Sequence, residues 1–154
     1  MIYTITVEAS YPADADRLFN EALDFSEMQE AMKGLAVYDG LPDRNVQQGE
    51  TLCVDVTMFK FFKTRNHTMY VERLDHDTRI IQSREHNKQI KRWDHTLHVQ
   101  PTDTGCLWRD MIVLDAGFTT FLAARFCRFV YARRRRLRQA SRIKATIQRG
   151  DLTL

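Results

Sequence analysis

A chain of 154 residues is long enough to bury one sizeable core, and 44% hydrophobic with 28% charged residues excludes a disordered polymer. No apolar run approaches the roughly 18 residues of a membrane-spanning helix, and "MIYTITVEAS" is too short, too polar and uncharged at its start for a signal peptide. The net charge of +3 hides an asymmetry: residues 1–115 hold 13 Lys/Arg against 19 Asp/Glu, whereas residues 116–154 hold 10 Lys/Arg against one acid, Asp151.

Tyr3, Ile5 and Val7 alternate with Thr4, Thr6 and Glu8, the pattern of a half-buried strand. Pro12 then opens a helix with Asp14 or Asp16 in its first turn and Leu18, Phe19, Ala22 and Leu23 along one stripe. Ser26 and Gln29 fit a capping box for a second short helix that Gly34 stops. "LAVYDG" reads as a short strand before a turn-rich connection. Leu52, Val54, Val56 and Met58 alternate with Thr51, Asp55 and Thr57 as another strand.

"NHTMYVERL" and "TRIIQSREHN" flank a tight turn at residues 75–78, which predicts a hairpin. With Asp75 opposite Thr78, Val71 faces Gln82 and Met69 faces Arg84. His67, Met69 and Val71 then share a face with Ile80, Gln82 and Arg84, a pocket wall or, for Arg84 and Glu85, a solvated outer face. Two more strands surround "PTDTG". From Gly117 the period becomes helical: Phe118, Leu122, Phe126, Phe129, Leu137 and Ile147 recur, with no proline in 118–149. One helix of roughly 25–30 residues, about 40 Å long, is expected.

One strand, two short helices, about six strands and a long helix make an α+β plan, and sequential strands favour an antiparallel meander. A twisted sheet of this size curls. A straight C-terminal helix across its concave side leaves a chamber, so residues 1–154 are expected to form one domain around a cavity. Between 90 and 100 the odd residues Lys91, Trp93, His95, Leu97 and Val99 form the more apolar face and point inward. A buried, unpaired His95 would cost roughly 1–3 kcal/mol, so it requires a protein partner or a ligand. Both faces of 106–114 are apolar at their far ends, so Asp110 stays open between solvent, Arg92 or Arg109, and His95.

Cys53, Cys106 and Cys127 are odd in number and widely spaced, which fits three reduced thiols in a cytoplasmic protein. His95 and His98 lie three apart on a strand and face opposite ways. The other histidines lack Cys or carboxylate at ligand spacing, so no metal site is expected. There is no Gly-rich phosphate loop and no Gly-x-Ser-x-Gly elbow, and no cofactor is expected. His95 is the one nominee for acid–base chemistry.

"KRWDHTLHV" with its Trp-x-His, "LWRDMIVL" with its Asp, and the aromatic, Arg-rich "FCRFVYARRRRL" resemble the START/Bet v 1-like (SRPBCC) helix-grip superfamily in its polyketide cyclase/dehydrase-like branch. The order of elements resembles it over nearly the whole chain. The family's usual Tyr-Arg-His reads "YARRRR" here, and its Gly-Pro before the Trp strand reads "HNKQI". The resemblance implies a curved antiparallel sheet of six to seven strands around a long C-terminal helix. It also implies a cavity between them for a small hydrophobic or amphipathic ligand such as a lipid, quinone or polyketide. With the faces read above, the expected lining is Val56, Met58, His67, Met69, Val71, Trp93, His95, Leu97, Phe126, Phe129 and Arg133. A cyclase/dehydratase using His95 is the alternative.

Arg133 to Arg136 cannot share one helix face at about 100° per residue. Arg133 or Arg136, beside the Phe129 stripe, is expected to turn toward the sheet and meet an acid or an anionic ligand head. Arg134, Arg135, Arg138 and Arg142 are expected on the surface, as a solvated helix end or as a contact for an anionic membrane or for RNA or the ribosome. The hairpin tip "MFKFFKT" places Phe59, Phe61 and Phe62 among lysines, favouring a membrane or the pocket mouth.

Overall fold

β1 (Tyr3–Tyr11) is followed by two short helices, α1 (Ala15–Ala22) and α2 (Phe25–Ala31), and then by β2 (Ala36–Asp39), β3 (Thr51–Met58), β4 (Phe62–Asp75), β5 (Ile80–His86), β6 (Arg92–Thr102) and β7 (Gly105–Asp115). A 3-10 turn, Gly117–Thr119, leads into α3 (Thr120–Gln148). The computed structural model describes the backbone of residues 2–148 and their side chains, apart from those of 134, 137 and 140–148. The strands form one antiparallel sheet in the order β1-β7-β6-β5-β4-β3-β2, a meander whose last strand pairs with the first. This is the α+β arrangement expected from the element order.

Both short helices are capped by carboxylates. Asp14 Oδ1 accepts from the Arg17 N–H at 2.9 Å and Asp24 Oδ1 from the Ser26 N–H at 2.8 Å. The cap of α2 is therefore Asp24 and not the expected Ser26, because an ionised carboxylate is the stronger acceptor at the positive end of a helix. The Ser26 hydroxyl instead donates to Asp43 at 2.6 Å.

The β4–β5 hairpin departs from the expected register. Its turn is two residues longer, pairing Asp75 with Ile80, which by itself keeps the same residues on each face. A β-bulge at Glu72 then shifts the pairing by one, so Val71 opposes Ser83, Tyr70 opposes Arg84 and Met69 opposes Glu85. A one-residue slip inverts every side chain beyond it. Ser83 and Glu85 turn to the concave face beside Met69 and His67. Arg84 turns outward, where it pairs with Glu72 at 2.6 Å and Asp94 at 2.8 Å.

Helix α3 also faces another way than expected. Phe118, Phe121, Leu122 and Phe129 are exposed, whereas Ala124, Cys127 and Val130 are buried. Ala124 and Cys127 pack on Ile5 of β1 and on Ile112 and Leu114 of β7. Their small side chains let the helix lie close along this edge of the sheet, where a phenylalanine would hold it off. The helix consequently stands away from β3–β6. Two further apolar clusters, one under α1 around Phe19, Val99 and Trp108 and one around Met32, Leu35 and Val54, pack the remaining rim. The core rings the centre of the concave face and does not fill it.

Candidate functional site: a cavity with one polar wall

The space between these clusters is a cavity of about 500 Å³. Val56 and Met58 of β3, His67, Met69 and Val71 of β4, Trp93, His95 and Leu97 of β6, and Phe126 of α3 all lie on its wall. Two residues expected there do not. Phe129 is 53% exposed and packs against Phe59, and Arg133 is exposed. Both follow from the helix rotation described above.

The arginine that turns inward is Arg138, neither Arg133 nor Arg136. Only 5% exposed, it grips Glu27 of α2 through Nε (2.8 Å) and Nη2 (2.6 Å), with its guanidinium 4.0 Å from the Trp108 ring centre. It continues the buried stripe of Cys127 and Tyr131 at helical spacing. Arg135 is half-buried and donates from Nη1 to the Glu8 carbonyl at 2.8 Å. Arg135 and Arg138 are therefore not the free surface cations expected, and the side chains of Arg134 and Arg142 lie outside the described residues.

The polar side of the cavity consists of two carboxylate–histidine pairs. Asp110 points inward from β7: its Oδ1 lies 2.8 Å from His95 Nε2, and its Oδ2 accepts from Trp108 Nε1–H at 2.7 Å. An ionised carboxylate only accepts, so His95 carries its proton on Nε2. Nδ1 of His95 has no protein partner among the described residues. Tyr131 covers this pair from α3, its ring centre 5.5 Å from that of His95.

The second pair is closed. His67 Nε2 lies 2.8 Å from Glu85 Oε2, and Ser83 Oγ donates to Glu85 Oε1 at 2.7 Å. Asn87 Oδ1 accepts the N–H groups of Gln89 (2.8 Å) and Ile90 (2.9 Å), which fixes its amide so that Nδ2 faces His67 Nδ1 at 3.1 Å. Nδ1 must then accept, and His67 is neutral with its proton directed at Glu85. Burial pushes the Glu85 carboxyl up, but the hydrogen bonds from His67 and Ser83 favour its ionised form, and the group is held below the ordinary carboxylate value. Glu85 is thus an anion in the wall.

Cys127 also lines the cavity, and burial with the Asp110 and Glu85 carboxylates pushes its thiol up to about 12. A thiol so resistant to ionisation is no nucleophile at neutral pH. Among the described residues no group of three His, Cys, Asp or Glu side chains could hold a metal ion, and no helix is long and apolar enough to cross a membrane.

Sequence reading missed Ser83, Glu85 and Asn87, which reach the cavity through the β4 bulge and an irregular turn. It missed Tyr131 as well, and there a signal existed: Ala124, Cys127, Tyr131 and Arg138 mark a stripe of their own beside the phenylalanines.

No family model matches the chain, and no curated protein does. Solved structures do. Protein CV1439 from Chromobacterium violaceum superposes with a TM-score of 0.68 at 15% identity, over 89% of this chain and 95% of that one. Ara h 8.0201 superposes at 0.62 with 10% identity, over 88% and 96%. A point mutant of norcoclaurine synthase from Thalictrum flavum, bound to a transition-state analogue, superposes at 0.60 with 15% identity, over 77% and 78%. The same enzyme in complex with dopamine and hydroxybenzaldehyde superposes at 0.58 with 14% identity, over 74% and 69%. At these identities the likeness is one of fold: the chain has the helix-grip fold of START/Bet v 1-like proteins.

Proposed function

We propose that the protein binds a small hydrophobic or amphipathic ligand, of lipid, quinone or polyketide type, in the cavity between the sheet and α3. The observation that carries this reading is a 500 Å³ space with an apolar floor and a few aimed polar groups on one wall, a size and character typical of small-molecule sites. Left empty, such a volume would cost on the order of 10 kcal/mol at about 24 cal/mol per Å³, comparable to a whole domain's stability. Solvent or a ligand therefore fills it, and apolar walls favour the ligand. The apolar body would rest on Val56, Met69, Val71 and Leu97, with a hydroxyl donating to Glu85 or to His95 Nδ1. Norcoclaurine synthase, of the same fold, has been solved holding two small molecules.

Native mass spectrometry of the purified chain and titration with anilinonaphthalene sulfonate test this. The wild type should bind the probe, and Leu97→Trp, which fills the floor, should weaken it by about tenfold, equivalent to ~1.4 kcal/mol. No probe binding by the wild type, or equal binding by the filled variant, would overturn the proposal.

One observation favours a second reading, a cyclase/dehydratase-type enzyme. Asp110 holds His95, a cavity-lining residue, by Nε2 and leaves its Nδ1 as an acceptor with no protein partner among the described residues, an arrangement suited to removing a proton α to a carbonyl. It predicts that the protein speeds deuterium exchange at the central carbon of a β-diketone, and that His95→Asn abolishes this while keeping probe affinity. Unchanged exchange in that variant would eliminate the enzyme reading.

A further inference from the structure

The phenylalanines that the helical pattern places in the core are on the surface, and they are not scattered. Phe118 is fully exposed, and Phe121, Leu122 and Phe129 follow it along the outer side of the first three turns of α3. The turn 59–61 reaches the same region: Phe59 packs 5.5 Å from Phe126 and 6.2 Å from Phe129, and Phe61 beside it is 83% exposed. Phe59 and Lys60 hold this turn at φ of 49° and 68°, left-handed values that neither residue type favours. Phe62 and Phe126 are exposed on this face and also line the cavity, so the aromatic patch borders the cavity mouth.

Charge identifies what covers the patch. Residues 57–65 and 117–133 contain no carboxylate, yet carry Lys60, Lys63, Arg65, Arg125, Arg128 and Arg133. Of the acids at its margin, Asp55 meets Lys63 at 3.5 Å and Asp115 accepts from the Gly117 N–H at 2.9 Å. A two-fold pairing of this face with a second copy would set these cations against themselves. An apolar, aromatic summit rimmed by cations matches the interface of an anionic bilayer, where rings enter the headgroup–acyl boundary and Lys/Arg meet phosphates.

We infer that this face docks on anionic lipid bilayers, with the cavity mouth against the membrane. The inference stands independently of the cavity's ligand. Flotation of the full chain with phosphatidylcholine vesicles, with and without phosphatidylglycerol, tests it. Binding should rise by about tenfold or more with the anionic lipid and fall as salt is raised. Phe118→Ser with Phe121→Ser, and separately Lys60→Glu with Arg125→Glu, should each reduce it by about tenfold. None of these residues lines the cavity, so probe affinity and thermal midpoint should stay at wild-type values. Lack of vesicle binding, indifference to the anionic lipid, or unchanged binding by the serine variant would overturn the inference. So would light scattering that shows a dimer dissolved by the same serine substitutions, or RNA binding that they abolish.

Discussion

Replacing Arg138 with alanine should destabilise the protein by about 3 kcal/mol. Its guanidinium makes two charge-assisted hydrogen bonds to Glu27 at 2.6 and 2.8 Å and stacks 4.0 Å from the Trp108 ring centre, in a side chain only 5% exposed. Breaking a fully buried ion pair costs about 3–5 kcal/mol. The Glu27 side chain, however, is 28% exposed and regains water when its partner leaves, so the lower figure for a hydrogen bond to a charged group, ~1.5 kcal/mol, is appropriate. Loss of the indole contact and of the packed aliphatic stem adds roughly 1–2 kcal/mol. For a chain of this length the thermal midpoint should fall by roughly 6–12 °C, at about 2–4 °C per kcal/mol. Arg136→Ala, at an exposed site two residues earlier, should change stability by no more than about 0.5 kcal/mol. Urea and thermal denaturation followed by circular dichroism would measure both. If the two substitutions cost the same, the assignment of Arg138 as the inward arginine is wrong. If Glu27→Gln and Arg138→Ala proved additive, the clamp between α2 and α3 would not exist.

Two further predictions concern the polar wall. The folded pKa of Glu85 is depressed, so its contribution to stability is present above the unfolded value of about 4.3 and is lost as pH falls through the lower folded value. As pH falls below about 4.3 the wild type should therefore lose more stability than Glu85→Gln in urea titrations, and parallel curves would contradict this. Iodoacetamide applied to the native protein at mildly alkaline pH should modify the exposed Cys53 and leave Cys106 and Cys127 untouched until denaturant is added. Peptide mapping that finds Cys127 labelled first would show that its environment is not the buried, carboxylate-flanked one described.

The two polar pairs differ in what they can do. His67 is saturated: Asn87 donates to one nitrogen and Glu85 accepts from the other, so the pair serves to place a fixed anion in the wall. His95 is anchored on one side only.

Alternation and helical spacing are local properties, and they decided much on their own. The seven-stranded meander, the long proline-free helix and the inward face of β6 with Trp93, His95 and Leu97 could all be read from residue order, since period two fixes which side chains share a face. Asp110 could not, because both faces of β7 are apolar at their ends and only pairing with β6 brings it beside His95. Nor could Glu85: a bulge at Glu72 inverts the facing of everything beyond it, and alternation along a single strand does not reveal where its partner leaves a residue unpaired. The rotation of α3 has the same origin. Spacing shows two stripes on that helix, phenylalanine-rich and Ala/Cys-rich, and hydrophobicity alone favours the first. Contact with β1 and β7 selects the second, because small side chains permit close approach, and it is that seating which keeps the cavity open and leaves the aromatic face outside.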